Sequence, residues 1–175
     1  DEEAYMRTNV RGTDNMLRFA RDAGAAFFHM STCSVAGNSM KEGMTCRAFT
    51  EDDHDVGQVW EDNIYVRSKF LAEYLVFQAM DEGLNAKIFR LGRLVGRASD
   101  GKFQVNPENN AFYLFIQGIL QAGAVPEEAL GVPVDLMPID LCAREVLALT
   151  NADGRVFHIM HPDAPTFSQV LHRSG

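Results

Sequence analysis

The sequence predicts an α/β fold, a doubly wound parallel sheet covered by helices. Two observations predict it. Short and nearly continuous apolar runs at residues 25–30, 86–91 and 156–160 have the pattern of strands buried on both faces. Between the first two lies a segment, residues 65–81, whose apolar side chains recur at helical spacing. Strand, helix and strand in that order make a crossover, and a crossover joins parallel strands.

Each element follows in turn. Val10, Met16, Leu17 and Ala20 lie on one face of a first helix, which Gly24 stops. The strand at 25–30 runs directly into Ser31-Thr32-Cys33-Ser34. Residues 37–63 turn polar, with Gly37, Gly43 and Gly57 and the acidic run Glu51-Asp52-Asp53-His54-Asp55. A loop of that length is usually functional, and its charges are read as a solvated surface. The helix at 65–81 carries Phe70, Leu71, Tyr74, Leu75 and Ala79 on its apolar face and ends at Gly83. After the strand at 86–91, Asn109 or Asn110 can cap a helix over 111–121, and Asp140 can open another running to Leu149. The strand at 156–160 follows, and a helical pattern resumes shortly before Ser174-Gly175. The opening Asp1-Glu2-Glu3-Ala4-Tyr5 reads as the inside of a helix and lacks an initiator Met, so residues 1–175 are expected to be a single partial domain of a longer protein.

At 175 residues, with 46% hydrophobic and 23% charged side chains, the chain has the composition of a folded domain rather than a disordered segment. A net charge of −8 without a dense Lys/Arg cluster repels phosphate backbones and anionic lipid, which excludes nucleic acid and membrane as expected partners. The longest apolar stretches, 25–30 and 111–120, are too short or too interrupted to cross a bilayer. Cys33, Cys46 and Cys142 form no close pair, and an odd count gives no disulfide framework. A reducing, cytoplasmic setting is expected.

The chemistry concentrates in Tyr65-Val66-Arg67-Ser68-Lys69. Residues four apart share a helix face, so the phenol and the ammonium point the same way. An ammonium beside a phenol favours the phenolate and is expected to lower the tyrosine pKa from about 10. Such a tyrosine exchanges protons with a carbonyl or alcohol oxygen. Ser31 and Thr32 end the neighbouring strand at the carboxyl edge of the sheet, where ligands bind in this architecture. Thr32 is placed to hold a substrate oxygen while Tyr65 protonates it.

Asn9-Val10-Arg11-Gly12-Thr13, Ser31-Thr32-Cys33-Ser34-Val35-Ala36-Gly37 and Tyr65-Val66-Arg67-Ser68-Lys69 resemble successive blocks of the extended short-chain dehydrogenase/reductases. Two later blocks narrow the resemblance. Phe89-Arg90-Leu91-Gly92-Arg93-Leu94-Val95-Gly96-Arg97 and Ser99-Asp100-Gly101-Lys102-Phe103-Gln104-Val105-Asn106, with Asn110-Ala111-Phe112 after them, are similar to the thioester reductase domains of nonribosomal peptide synthetases. Carboxylic acid reductases and fatty acyl-CoA reductases carry related domains. The resemblance runs from about Asn9 to Gln169.

It implies the C-terminal part of a Rossmann-like sheet with a small substrate-binding region. It gives Thr32, Tyr65 and Lys69 the catalytic roles. Lys69 also holds the nicotinamide ribose, and Ser31 with the backbone at Leu91 and Gly92 lines the nicotinamide pocket. The implied reaction is reductive release, by NADPH or alternatively NADH, of an acyl or peptidyl chain held as a phosphopantetheine thioester on a carrier domain. The product is an aldehyde or, after a second reduction, an alcohol. Two other functions share the same residues or fold: a nucleotide-sugar epimerase or dehydratase, and a non-catalytic dinucleotide-binding domain. No G-x-x-G-x-x-G string occurs in the chain. The turn that would cradle the cofactor pyrophosphate is therefore expected upstream of Asp1.

The remaining candidates have plainer readings. His158 and His161 lack a carboxylate or cysteine to complete a zinc set, so no metal is expected. Cys33 has no histidine to activate it and is read as a packed thiol. No G-x-S-x-G elbow marks a hydrolytic thioesterase. Phe103, Phe112, Tyr113 and Phe115 either line an acyl channel or pack as core.

Overall fold

The structure, a computed structural model, describes residues 1–106, 108 and 110–172. In chain order the elements are α1 (Glu2–Tyr5), a π-helical continuation (Met6–Arg11), α2 (Gly12–Ala23), β1 (Phe27–Thr32) and a 3-10 turn (Cys33–Ala36). Then come α3 (Ile64–Asp81), β2 (Ala86–Leu91), β3 (Leu94–Val95), α4 (Ala111–Ala122), α5 (Glu127–Leu130), β4 (Met137–Pro138), α6 (Ile139–Leu149), β5 (Val156–Ile159) and α7 (Phe167–His172). They fall into two compact units. One takes Asp1–Gly92 with Val146–Ile159, the other Arg93–Glu145 and the residues from Met160 on. No helix among the described residues is long and apolar enough to cross a membrane.

The first unit holds a parallel sheet in the order β1-β2-β5. Phe27 pairs with Ala86 and the register runs on to Thr32 opposite Leu91, which in turn lies opposite Ile159. The central strand β2 is buried over Ala86–Arg90, as a strand flanked on both sides must be. Leu17 of α2, Val76 and Ala79 of α3, Ala86 and Ile88 of β2 and Val156 of β5 form its core, with Phe27 packed against them. Full burial of each large aliphatic side chain contributes roughly 1.5–3 kcal/mol.

The apolar run at 25–30 is not quite the strand. Gly24 adopts the left-handed conformation at φ 62° and closes α2, and the next amide, of Ala25, donates back to the Ala20 carbonyl at 2.9 Å. The helix end thus consumes residue 25. The ladder starts at Phe27, whose amide reaches Asn85, and Ser31 and Thr32 become its last two residues.

Residues 37–63 hold little regular structure, yet they are tied down by side chains. Gln58 is fully buried; it donates to the carbonyls of Val35 and His54 at 3.1 and 2.7 Å and accepts from the Val56 amide at 2.8 Å. Arg90 of β2 donates to the carbonyls of Thr50 and Asp53. Phe70 of α3 stacks with both His54 and Trp60, at 4.0 and 4.2 Å between ring centres. The acidic run is more than a solvated surface. Asp53 accepts from Arg47 and from the amide and hydroxyl of Thr50, and Glu51 accepts from the His158 amide at 2.6 Å. Those donors hold the Asp53 carboxyl well below the usual carboxylate range.

In the second unit β3 and β4 pair in parallel, Leu94 with Met137 and Val95 with Pro138. Asp135 ties the amides of Arg93 and His161 together. Asp140 lies in the first turn of α6, where its carboxylate takes the amides of Ala98 and Ser99. Asn110 caps α4 by accepting from Phe112 and Tyr113, while Asn109 lies outside the described residues. Phe103 stacks on Tyr113 at 5.1 Å and Phe115 meets Phe167 at 6.0 Å, so these rings pack with one another.

Candidate active site

Asn63 is the side chain that starts α3. Its Oδ1 accepts from the amides of Tyr65 and Val66 at 2.9 and 3.2 Å, which fixes the first turn of α3 and with it the direction of Tyr65. The Tyr65 phenol lies near enough to the Thr32 hydroxyl, at the end of β1, for that hydroxyl to favour the phenolate. Thr32 itself is oriented by Ser34, whose amide donates to Oγ1 at 3.2 Å and whose hydroxyl accepts from it at the same distance. The structure thus brings the Thr32 and Tyr65 side chains near each other at the end of β1.

Lys69 follows one helical turn later. Its ammonium donates to the carbonyl of Met30 at 2.5 Å. Ser68, fully buried between the two, donates to the Tyr65 carbonyl and accepts from Asn9 at 2.9 Å. Asn9 belongs to the π-helical stretch, and Tyr5, just before it, meets Tyr65 edge-on with ring centres 6.2 Å apart. Tyr5 and Asn9, at the start of the π-helical stretch and within it, thus both reach the first turns of α3, and π turns are frequent at functional sites.

The electrostatics correct one expectation. Burial pushes the Tyr65 phenol above its ordinary value, the Thr32 hydroxyl offsets part of that rise, and the nearby Tyr5 adds to it. Lys69 does not lower it, because its ammonium is turned to Met30. Burial pushes Lys69 itself down, with Glu73 opposing. Tyr65 is accordingly held as a protonated phenol at neutral pH, an acid rather than a phenolate base.

The other predicted residues are placed less directly. Leu91 sits beside Thr32 in the ladder, at the same carboxyl edge. The Gly92 amide is committed to the Ile159 carbonyl at 2.8 Å. Ser31 is 5% exposed, and its Oγ has no hydrogen-bond partner among the described residues. It shares a strand face with His29 and Phe27, the face that packs toward α3. Cys33 packs against the sheet, its Sγ 3.1 Å from the Arg90 carbonyl. Among the described residues no group of His, Cys, Asp or Glu is arranged to hold a metal ion.

This edge suits the nicotinamide and ribose end of a dinucleotide. An ammonium has three donors, and Lys69 gives one of them to Met30. The pyrophosphate end is not served, since no glycine-rich turn joins a strand to a helix among the described residues. Sequence reasoning missed Asn63, which the cap preference before a helix could have supplied. It also missed the Met30 carbonyl, for which no sequence signal exists.

Comparison with known proteins places this geometry. A family model for the male sterility protein NAD-binding domain matches residues 1–146. A component of the linear gramicidin synthase of Brevibacillus parabrevis is 25% identical over 171 residues, 96% of this chain and 3% of that protein. The solved thiolation-reductase di-domain of an archaeal non-ribosomal peptide synthetase superposes with a TM-score of 0.88 at 37% identity, over 95% of this chain and 36% of that one. The reductase domain of the aureusimine biosynthetic cluster superposes with a TM-score of 0.87 at 28% identity, over 98% of this chain and 46% of that one. The chain thus spans less than half the length of each.

Proposed function

This chain belongs to the male sterility protein family of NAD-binding domains, and from that premise we propose that it is the catalytic portion of a thioester reductase. The reading rests chiefly on one observation: Thr32 and Tyr65 lie side by side at the carboxyl edge of a parallel sheet, with Lys69 one turn further along the same helix. The substrate is an acyl or peptidyl chain bound as a thioester to the phosphopantetheine arm of a carrier domain, and the cofactor is NADPH.

When bound, the reduced nicotinamide supplies the hydride. The work of the protein lies at the carbonyl oxygen. As that oxygen gains charge, the Thr32 hydroxyl and the Tyr65 phenol are the donors that stabilise it, an effect of a few kcal/mol per well-placed donor. Tyr65 then gives up its proton to the oxygen, which the raised pKa permits by keeping the phenol protonated until charge develops. The product of that transfer is a hemithioacetal. Its collapse breaks the carbon–sulfur bond and releases an aldehyde and the carrier thiol. Lys69, anchored on the Met30 carbonyl, holds the ribose.

The experiment is a comparison of substrates in the full-length protein. NADPH oxidation is expected with an acyl or peptidyl thioester on a carrier domain, with aldehyde formed in step. Turnover of a nucleotide sugar without turnover of any thioester overturns the proposal.

A further inference from the structure

The strand that supplies Thr32 also buries two polar side chains to which the proposed proton transfer gives no part. His29 and Ser31 are 7% and 5% exposed, and neither His29 Nε2 nor Ser31 Oγ has a hydrogen-bond partner among the described residues. Alternation along β1 puts them on the same face, toward α3. The residue between them is Met30, whose carbonyl takes the Lys69 ammonium. Two orphaned polar atoms therefore flank the point where the cofactor-holding lysine is anchored.

Buried polar atoms are seldom left unpaired, and an ordered water is the usual partner where two or more of them converge. Side chains two apart on a strand face leave the backbone roughly 7 Å from each other, and one water spans about 5 Å between polar atoms, so it bridges the two when their tips lean together. We propose that His29 and Ser31 hold a buried water against Lys69, and that His29 is a positioning residue for that ammonium. The water donates to His29 Nε2 and to Ser31 Oγ and accepts from Lys69. Lys69 then has two fixed acceptors beneath it, the Met30 carbonyl and the water, and its third hydrogen is left for the cofactor. The role requires an uncharged imidazole. Burial and the Lys69 charge keep His29 neutral down to a pKa of about 3. Phe27 stacks against the ring on its other flank, at 6.2 Å between centres, and limits its rotation.

The inference rests on the proposed role of Lys69, but its test has an arm that needs no cofactor. In the full-length protein labelled with 15N-lysine, an ammonium held by fixed acceptors exchanges slowly and gives a resolved Lys69 Nζ signal. That signal is expected in the wild type, lost in His29→Phe, and retained in His29→Asn, which keeps a polar group at the site. NADPH affinity, read by fluorescence, should weaken about tenfold in His29→Phe and less than about threefold in His29→Asn, with thermal unfolding confirming that both fold. Asparagine rescue separates positioning from packing, because a packing role is served as well by phenylalanine. An unchanged Lys69 signal in His29→Phe, or its equal loss in both variants, overturns the inference. Failure of the wild type to reduce thioesters overturns only the reductase reading, since the spectroscopic arm is unaffected.

Discussion

Arg90 of β2 and Glu73 of α3 form an ion pair at 2.8 Å in which both side chains are fully buried. Arg90 gives two further donors to the loop, through the carbonyls of Thr50 and Asp53, lies 3.3 Å from His158 Nε2 of β5, and stacks over Phe49. One buried cation thus joins the sheet, α3 and the long loop. Removing its counter-ion leaves a charge without compensation. Glu73→Ala is expected to destabilise the protein by about 3–5 kcal/mol. Urea denaturation checks this, and proteolysis within 44–58 should accelerate as the loop loses its anchor. A loss under about 1 kcal/mol refutes the pin.

Tyr65→Phe deletes only the phenolic oxygen, which lies at the sheet edge beside Thr32 on a ring that packs against Tyr5. Thioester-dependent NADPH oxidation should fall about 100- to 10,000-fold, the range of a lost general acid. NADPH affinity should change little. Thr32→Val removes one donor to the oxyanion while keeping the shape, and should lower kcat about a hundredfold. Full turnover in either variant contradicts the assignment of that residue.

The buried imidazoles give stability a definite sign with pH. In an unfolded chain histidine binds a proton near pH 6.5, whereas folded His29 does so only near 3. Between those values the unfolded state binds more protons, so stability is full above about pH 6.5 and is lost as pH falls toward 3. Burial depresses His54 and His158 as well, which adds in the same direction. Replacing His29 by Asn should flatten the slope. Between about pH 6.5 and 4.5 the wild type is expected to lose on the order of 2 kcal/mol more than His29→Asn in matched denaturation curves. Parallel curves would show that His29 titrates normally.

The three main strands and α3 were legible because their signals are local. A buried strand announces itself by apolar continuity, as β2 does, and Tyr65 and Lys69 share a face by helix geometry alone. What could not be read depends on partners far along the chain. Asn9 reaches Ser68, 59 residues away, so nothing around Met6–Arg11 announces a π turn. Lys69 is held by a backbone carbonyl, a group every residue carries. The direction of the Tyr65 pKa depends on what covers its hydroxyl end, where Tyr5 and the end of β1 approach it, and spacing carries no record of those neighbours. β3 and β4 are two residues each, too short to show any period.

Gly37 tests whether the loop's close approach to the site matters. It follows the 3-10 turn after Thr32 at φ 68°, and a Cβ there would lie 2.5 Å from the Val59 carbonyl. Gly83, after α3, has φ 95° but open space around its missing Cβ. Both positions strain an L side chain, by roughly 1–2 kcal/mol, yet only Gly37→Ala must also displace backbone. The Val59 segment leads through Trp60 to the Asn63 cap, so the displacement is passed to the first turn of α3 that carries Tyr65. Gly83→Ala should cost the strain alone and leave kcat near the wild-type value. Gly37→Ala should cost more in denaturant and lower kcat, with faster amide exchange at Tyr65 and Val66. If the two variants behave alike, the contact with Val59 has no part in placing Tyr65.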